Sequence, residues 1–558
     1  MSSNFQLAKT SQSHISDLFC THVLPGLAYL LLAQTSIGLL SIPPSDASAV
    51  WPAAGVSIAA ILLRGYRACF GLFIALMVFY ATSWLDTDTT AGLFRSLGLM
   101  FLLSMAAILE AVGAVWLTHR LLGGMPDLVD DKQITLFLLI IGPLASLGSS
   151  LMAVITLLSF DVINGQQFFV SWLTWWIGDS IGAIVVAPML LALFANQKST
   201  LFTRKWAIVL PMGGILMVIV VLFLISKNYE TQERTLKFNQ QAEQLHSNME
   251  ARLDGGVEVL YSLRSLFLSS SHINAADFYS FTQHMLQRYP EIQAMEWIPR
   301  IPGDKRTEYE STSVVPLRIV ERGENGALLT APERDFYYPV AYVEPFAENE
   351  RAFGFNVISN PLAMEALQRA RRQNSVAFTA PIRLIQEAGE QKGIVAYLQV
   401  KHGGVDLGLS DEGVVAAVYR VGDFMNYVLK ERAELAEQIA VEAFDDTAEK
   451  QQRVASGLNH NNGYESLVWT KEYLSGGRVY QFEYRAKPGF FANFSQWSSW
   501  IVLLGGMLFA ALLDGWLLSL TGRTLRISQL VKEKTASLQY EVEERGRTEQ
   551  ALVKVSNW

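Results

Sequence analysis

The chain has 558 residues, 51% of them hydrophobic and only 17% charged, with a mean hydropathy of +0.23, a balance that excludes a wholly water-soluble protein and points to several membrane spans joined to soluble material. The net charge of -8 comes with basic residues that are scattered or sit beside apolar runs, which excludes a nucleic-acid binder. Two cysteines, Cys20 and Cys69, both in or beside apolar segments, provide no disulfide framework and no thiol site.

Before residue 22 the chain is polar with one lysine, Lys9, and the apolar run that follows lacks a small-residue cleavage site. An uncleaved first span with a cytoplasmic N-terminus is therefore predicted. A spanning helix needs about 20 apolar residues. That ruler finds runs near 22 to 42, 48 to 63, 68 to 85, 96 to 118, 133 to 158, 168 to 194 and 206 to 226, then a last one near 497 to 519. Short loops rich in lysine and arginine stay in the cytoplasm. With the N-terminus inside, the inner loops hold Arg64 and Arg67, Arg120 and Lys132, then Lys198, Arg204 and Lys205, and after the last span Arg523, Arg526, Lys532 and Lys534. The outer loops 43 to 47 and 159 to 167 hold none, and the loop after the third run is acidic through Asp86 and Asp88. An odd number of spans then places residues 228 to 496 outside.

Two acids, Glu110 and Asp179, fall inside the runs. An ionisable group in hydrocarbon is costly, so each is either hydrogen-bonded within the bundle or part of a signal- or ion-sensing site. Asp179 lies between Gly178 and Gly182, whose spacing lets helices approach closely. Trp51-Pro52-Ala-Ala-Gly55, Leu62-Leu63-Arg64-Gly65, Trp175-Trp176-Ile-Gly178-Asp179 and Pro188 resemble the MASE-type membrane-associated sensor domain, first class, over about residues 20 to 226. The resemblance implies a multi-span input domain of a bacterial histidine kinase or diguanylate cyclase.

From Tyr229 to about Ser270, Phe238, Leu245, Met249, Leu253, Val257, Leu260, Leu263 and Phe267 recur at helical spacing and predict a stalk helix, with Gly255-Gly256 a point where it would bend or break. Beyond it the period shortens. Runs at 293 to 301, 314 to 321, 337 to 343, 376 to 384 and 393 to 400 read as strands, interrupted by a helix from Pro361 to Gln373. A second set, 412 to 432, 437 to 444, 465 to 473 and 478 to 485, predicts a smaller sheet with Gly476-Gly477 as the last hairpin turn. The fold class expected is a multi-span α-helical membrane bundle plus an α+β extracytoplasmic domain, with a C-terminal coiled-coil helix. The expected boundaries are 1 to 227 for the bundle, 228 to 496 for the extracytoplasmic part (stalk 229 to 270, distal unit 271 to 400, proximal unit 401 to 491), 497 to 519 for the last span and 520 to 558 for the cytoplasmic linker.

Tyr289-Pro290, Ile292-Gln293, Glu296-Trp297-Ile298-Pro299-Arg300, Tyr338-Pro339-Val340, Tyr342, Glu344-Pro345, Gly354-Phe355, Ser359, Pro361, Ala366-Leu367, Ala370 and Thr379-Ala380-Pro381-Ile382 resemble the CHASE family of extracellular sensory domains. The resemblance implies a long helix carrying two PAS-like units, with ligand held in the distal one. It directs attention to a wall formed by Tyr338, Tyr342 and Glu344, the helix face of Leu367 and Ala370, and the strand of Thr379 to Leu384, and it implies a ligand contact at Thr379. Tyr338 and Tyr342 share strand parity and so face one side, either core or cavity. Arg383 meets an anionic ligand or pairs with Glu344. Trp297 and the rest of the stretch from Tyr289 to Pro299 are expected to be scaffold.

Nothing in the chain reads as an enzyme. His246, His272, His284, His402 and His460 lack metal-site spacing and are expected on the surface; Glu348-Asn-Glu350 and Asp445-Asp446 read as loop charges; no nucleophile elbow or phosphate loop occurs. No catalytic residue, metal or cofactor is assigned. Arg523 to Trp558 reads as a charged helix with Val531, Leu538, Val542 and Leu552 at coiled-coil-like spacing, suited to a parallel homodimer. Its wording resembles connectors into PAS or kinase domains, so the output is expected beyond Trp558. The expected function is a receptor in the bacterial inner membrane that senses a small extracellular molecule and controls a kinase or cyclase; the alternative is a transporter or channel-like bundle with a soluble substrate-binding domain.

Overall fold

The computed structural model describes residues 17–42, 47–197, 199–270, 273–312, 317–323, 326–386, 392–401, 412–447, 452–456, 467–492 and 497–556. His272, His402 and His460 lie outside them. The chain divides into two units, Met1–Thr231 with Gln496–Trp558, and Gln232–Ser495.

In the first unit every apolar run folds as a helix: α1 Phe19–Leu40, α2 Pro52–Arg64, α3 Ala68–Trp84, α4 Thr90–Leu122, α5 Asp131–Ser159, α6 Gly165–Phe194, the start of α7 Lys205–Ser269, and a last helix, Trp497–Ser556. Six of these are long and apolar enough to cross a membrane. The runs expected at 48 to 63 and 68 to 85 give helices of 13 and 17 residues, below that length. At ~1.5 Å per residue α2 reaches only about 20 Å. Its start is set by Trp51-Pro52, since proline fits the first turn of a helix, and its end by Gly65 at φ 76°. Close packing at α2 explains the glycines of α6. A Cβ on Gly182 would stand 2.0 Å from the Trp51 carbonyl oxygen, and one on Gly178 2.5 Å from that of Ser48. The Trp51 amide donates to the Gly178 carbonyl at 3.0 Å, so the two segments meet backbone to backbone.

At the inner end, Arg204 fastens the last helix to the bundle. Its guanidinium donates to the Leu518 carbonyl at 3.0 Å, the Thr521 hydroxyl at 3.1 Å and the Asp127 carbonyl at 2.8 Å, and also to that of Leu128. Arg523 pairs with Asp131 at 2.7 Å.

In the second unit the stalk stripe is buried as its spacing predicts, with Phe238, Leu245, Met249, Leu260, Leu263 and Phe267 inside the core. Helix α7 does not break at Gly255-Gly256. The glycines serve contact instead: a Cβ on Gly255 would lie 2.6 Å from the Tyr289 ring, and one on Gly256 1.9 Å from the Tyr419 hydroxyl. After α8, Ala275–Arg288, comes a five-stranded antiparallel sheet built from β1 Ala294–Pro299, β2 Tyr342–Glu344, β3 Ala377–Phe378, β4 Gly393–Lys401 and β5 Glu412–Arg420, in the order β2-β1-β5-β4-β3. Helix α9, Pro361–Gln373, packs on β4. The strand expected within 412 to 432 therefore belongs to the distal sheet, not to the second, and the chain continues from it as helix α10, Val421–Glu431. Its run Val-Val-Ala-Ala-Val is buried on both faces, the pattern of a central strand.

The second sheet comprises β6 Ile439–Asp445, β7 Gln452–Ser456, β8 Val468–Ser475 and β9 Arg478–Ala486 in the order β7-β6-β9-β8. Gly476 and Gly477, at φ 56° and 73°, close its last hairpin, where the Ser475 to Arg478 register demands two left-handed residues. His246 is not on the surface. It is 1% exposed, bonds through Nδ1 with the Tyr484 hydroxyl at 3.1 Å, and is edged by Trp469 and Phe482. Asp445 is likewise no loop charge: Arg478 grips its Oδ2 through Nε at 2.9 Å and Nη2 at 2.6 Å, both side chains being buried.

Candidate functional site

Alternation along β1 separates two environments. Met295 and Trp297 face the stalk, where Trp297 stacks on Phe267 at 4.2 Å between ring centroids. Ala294 and Ile298 face the other way, into the core beneath α9. Glu296 shares their parity and meets a cavity of about 310 Å³. Glu296 and Tyr397 stand on adjoining parts of the sheet, Arg322 and Arg383 come from flanking segments, and Asn360 and Pro361 bring the N-terminus of α9 to the rim.

Glu296 is 4% exposed, and among the described residues no group donates to its carboxyl. Burial pushes it up to about 8, so at neutral pH it is mostly protonated and can donate a hydrogen bond. Arg322 donates through Nη2 to the Leu384 carbonyl at 2.9 Å, while its Nε is buried without a partner. Burial, and after it the charges of Arg383 and Arg351, hold this guanidinium below its usual range. Those like charges, with the helix N-terminus beside them, give one side of the cavity a positive potential. A carboxylate or similar anion is the chemistry that such a side can receive.

Of the expected wall, only Ile382, Arg383 and Leu384 line this cavity. Tyr338 is buried on the same face of the sheet, and Leu367 and Ala370 fill the core between α9 and the sheet. Thr379 is fully buried and engages β4 twice, its amide donating to the Val395 carbonyl at 2.9 Å and its hydroxyl accepting from the Val395 amide at 3.1 Å. Tyr342 turns to the opposite face, packs on Phe278 and donates to the Ile273 carbonyl at 3.3 Å. Tyr338 and Tyr342 do not share a face because no single strand joins them: the chain is irregular across Pro339 to Ala341 before β2 begins. Glu344 ends β2, half-buried, raised by burial and opposed by a hydrogen bond from the Phe346 backbone. Glu296, read as scaffold, is the residue that sequence reasoning missed. Its signal was an acid inside the apolar strand Ala-Met-Glu-Trp-Ile-Pro, on the parity opposite Trp297.

In the first unit, Glu110 and Asp179 are both buried and line one cavity, and Glu110 accepts from Ser146 at 2.6 Å and Ser149 at 3.1 Å.

Residues 22–233 match the MASE1 family model, and residues 271–455 match the model described as "CHASE domain". The chain carries a MASE1 domain followed by a CHASE domain. This MASE1–CHASE chain is a multi-pass membrane protein for signal sensing, with its CHASE domain on the extracytoplasmic side, and neither domain is catalytic. Among solved structures it is similar to the periplasmic sensory domain of the Campylobacter jejuni chemoreceptor Tlp1, at 12% identity and a TM-score of 0.30 over 49% of this chain and 99% of that one. No curated protein matches the chain in sequence.

Proposed function

We propose that the distal cavity of the CHASE domain binds a small organic anion, and that its occupancy controls a histidine kinase or diguanylate cyclase output lying C-terminal to this chain, which works as a homodimer. The observation that carries the reading is that the buried Glu296 lines one chamber of about 310 Å³ together with Arg322 and Arg383. A carboxylate ligand would meet the arginine side and accept a hydrogen bond from the Glu296 carboxyl. Signalling follows if the ligand binds one arrangement of the stalk and last helix better than the other.

The test is a thermal-shift panel of two- to six-carbon mono- and dicarboxylates against the whole chain in lipid nanodiscs, at constant ionic strength. At a hundredfold excess over Kd a specific ligand stabilises by about 2.7 kcal/mol. At least one compound is expected to raise the melting temperature by several degrees, with the gain lost in Arg383→Ala and in Arg322→Ala. A flat response across the panel, or a gain unchanged in both variants, would reject the anion reading.

A further inference from the structure

The membrane unit contains a second chamber, unrelated to the distal cavity. Two neighbouring cavities of about 20 and 60 Å³ share Trp51, Tyr80, Trp175 and Asp179 as lining. The smaller reaches Glu110, and the larger runs along Phe79, Ser83 and Trp84. A water needs about 10–15 Å³ of such space, so the smaller holds about one water and the larger a group of roughly four to six water-sized pieces.

The walls select the charge of whatever enters. Two buried carboxyls, Glu110 and Asp179, line the chamber, and no described lysine or arginine forms an ion pair with either. The aromatic surfaces are negative on their faces. Tyr80 stacks on Trp84 at 5.4 Å and 5° between planes, and Trp51 meets Phe79 edge-on at 5.5 Å. An anion is therefore disfavoured, and an ammonium group brings the counter-charge that no described lysine or arginine supplies. The walls are mainly carbon, whereas an inorganic cation needs a shell of oxygen ligands.

One polar group is conspicuously unused. Tyr80 is 4% exposed, lines both cavities, and its hydroxyl has no hydrogen-bond partner among the described residues. The indole Nε1 of Trp175, another lining residue, is also buried without a partner. Asp179 and Tyr80 thus present two oxygens at the junction of a polar pocket and an aromatic one. The larger cavity also touches Ala47, Ser48, Ser83 and Trp84, beside helix ends that the lysine and arginine pattern places on the outer side, which supplies a route of entry.

We propose that this chamber binds a small primary alkylammonium ion of methyl- to ethylammonium size, its N–H groups donating to the Asp179 carboxylate and the Tyr80 hydroxyl and its alkyl end resting against Trp84 and Phe79.

The experiment titrates the whole chain in nanodiscs with ethylammonium chloride and follows tryptophan fluorescence, with sodium chloride and tetramethylammonium chloride as controls at equal ionic strength. A saturable change with ethylammonium alone is expected. Asp179→Asn should weaken it by at least about tenfold, the scale of losing a buried charge partner, and Tyr80→Phe by about threefold, the scale of one hydrogen bond. The same response to sodium chloride would overturn the site, and equal saturation by tetramethylammonium would overturn the N–H recognition. Ser83→Leu fills the larger cavity without touching either acid, which keeps the test decisive if Asp179→Asn does not fold. Ethylammonium binding that persists unchanged in Ser83→Leu, or in a folded Asp179→Asn, would overturn the proposal.

Discussion

A Cβ on Gly256 would stand 1.9 Å from the Tyr419 hydroxyl, so the stalk helix and the central strand of the distal sheet touch with no room for a methyl group. In an exposed helix, replacing glycine by alanine gains up to about 1 kcal/mol. Here the sign reverses, because Tyr419 is itself buried and must shift for the methyl to fit. Gly256→Ala is expected to cost about 1–3 kcal/mol, the range for overpacking a core. Adding Tyr419→Phe should recover part of the loss, since that hydroxyl is buried without a partner and its removal opens the space. Urea titrations of both variants followed by tryptophan fluorescence give the comparison; a Gly256→Ala protein as stable as the parent would show that the stalk and strand do not meet this closely.

Glu296 makes the stability of the distal unit depend on pH in an unusual direction for a carboxylate. Its folded-state value, about 8, lies above the ordinary 4.5, so the protonated form is favoured by folding. Its contribution is complete below about pH 4.5 and is lost progressively as the pH rises towards 8. Glu296→Gln keeps the shape and cannot ionise. The variant should therefore gain on the parent between pH 5 and 8, by an amount of the order of a few kcal/mol at the alkaline end, and the gap should level off above pH 8. Melting curves at half-unit pH steps check this, and a gap that is constant with pH would remove Glu296 from the account.

The buried pair of Asp445 and Arg478 ties the hairpin closed by Gly476-Gly477 to the neighbouring strand. Removing one partner strands the other charge in a dry place, which typically costs about 3–5 kcal/mol. Asp445→Ala is expected to lose stability on that scale, with little change between low and high salt. Replacing both residues together should cost less than Asp445→Ala alone. Chemical denaturation of the two variants at 50 and 500 mM salt separates this from an exposed ion pair, whose effect salt would erase.

The features legible in the sequence were those with a local period. The apolar runs located every helix of the bundle, the stripe from Phe238 to Phe267 marked the buried face of the stalk, and Gly476-Gly477 marked a hairpin. What escaped depends on contacts between distant residues. Val414 to Val418 read as a strand, yet nothing local says that it inserts between residues 294–299 and 393–401. Alternation from Tyr338 to Tyr342 assumed one continuous strand, and the irregular backbone at Pro339 broke it. The wall expected around Thr379 lies mostly in the core, while the cavity is set by Glu296, Tyr397 and Arg322, three residues from separate segments. His246 sits on the stalk stripe one position after Leu245, and only the approach of Tyr484 and Trp469 shows that its side is covered too.

That buried histidine links the stability of the second sheet to pH. Burial holds the His246 imidazole below its usual 6.5, against the weaker pull of Glu250 and Glu243. The neutral ring is the form that the Tyr484 hydroxyl and the three surrounding aromatic rings accommodate. Because the folded value is depressed, the stability tied to this group is present above about pH 6.5 and falls as the pH drops through the folded value. His246→Phe removes the titration while keeping an aromatic ring in the slot, and it leaves the Tyr484 hydroxyl with its contact to the Met249 sulfur at 3.5 Å. The variant should be less stable than the parent at pH 8, by about 1 kcal/mol for the lost hydrogen bond, and should overtake or approach it by pH 5. Melting curves of the two proteins at pH 8 and pH 5 decide the matter: parallel loss of stability in both would place the acid sensitivity elsewhere.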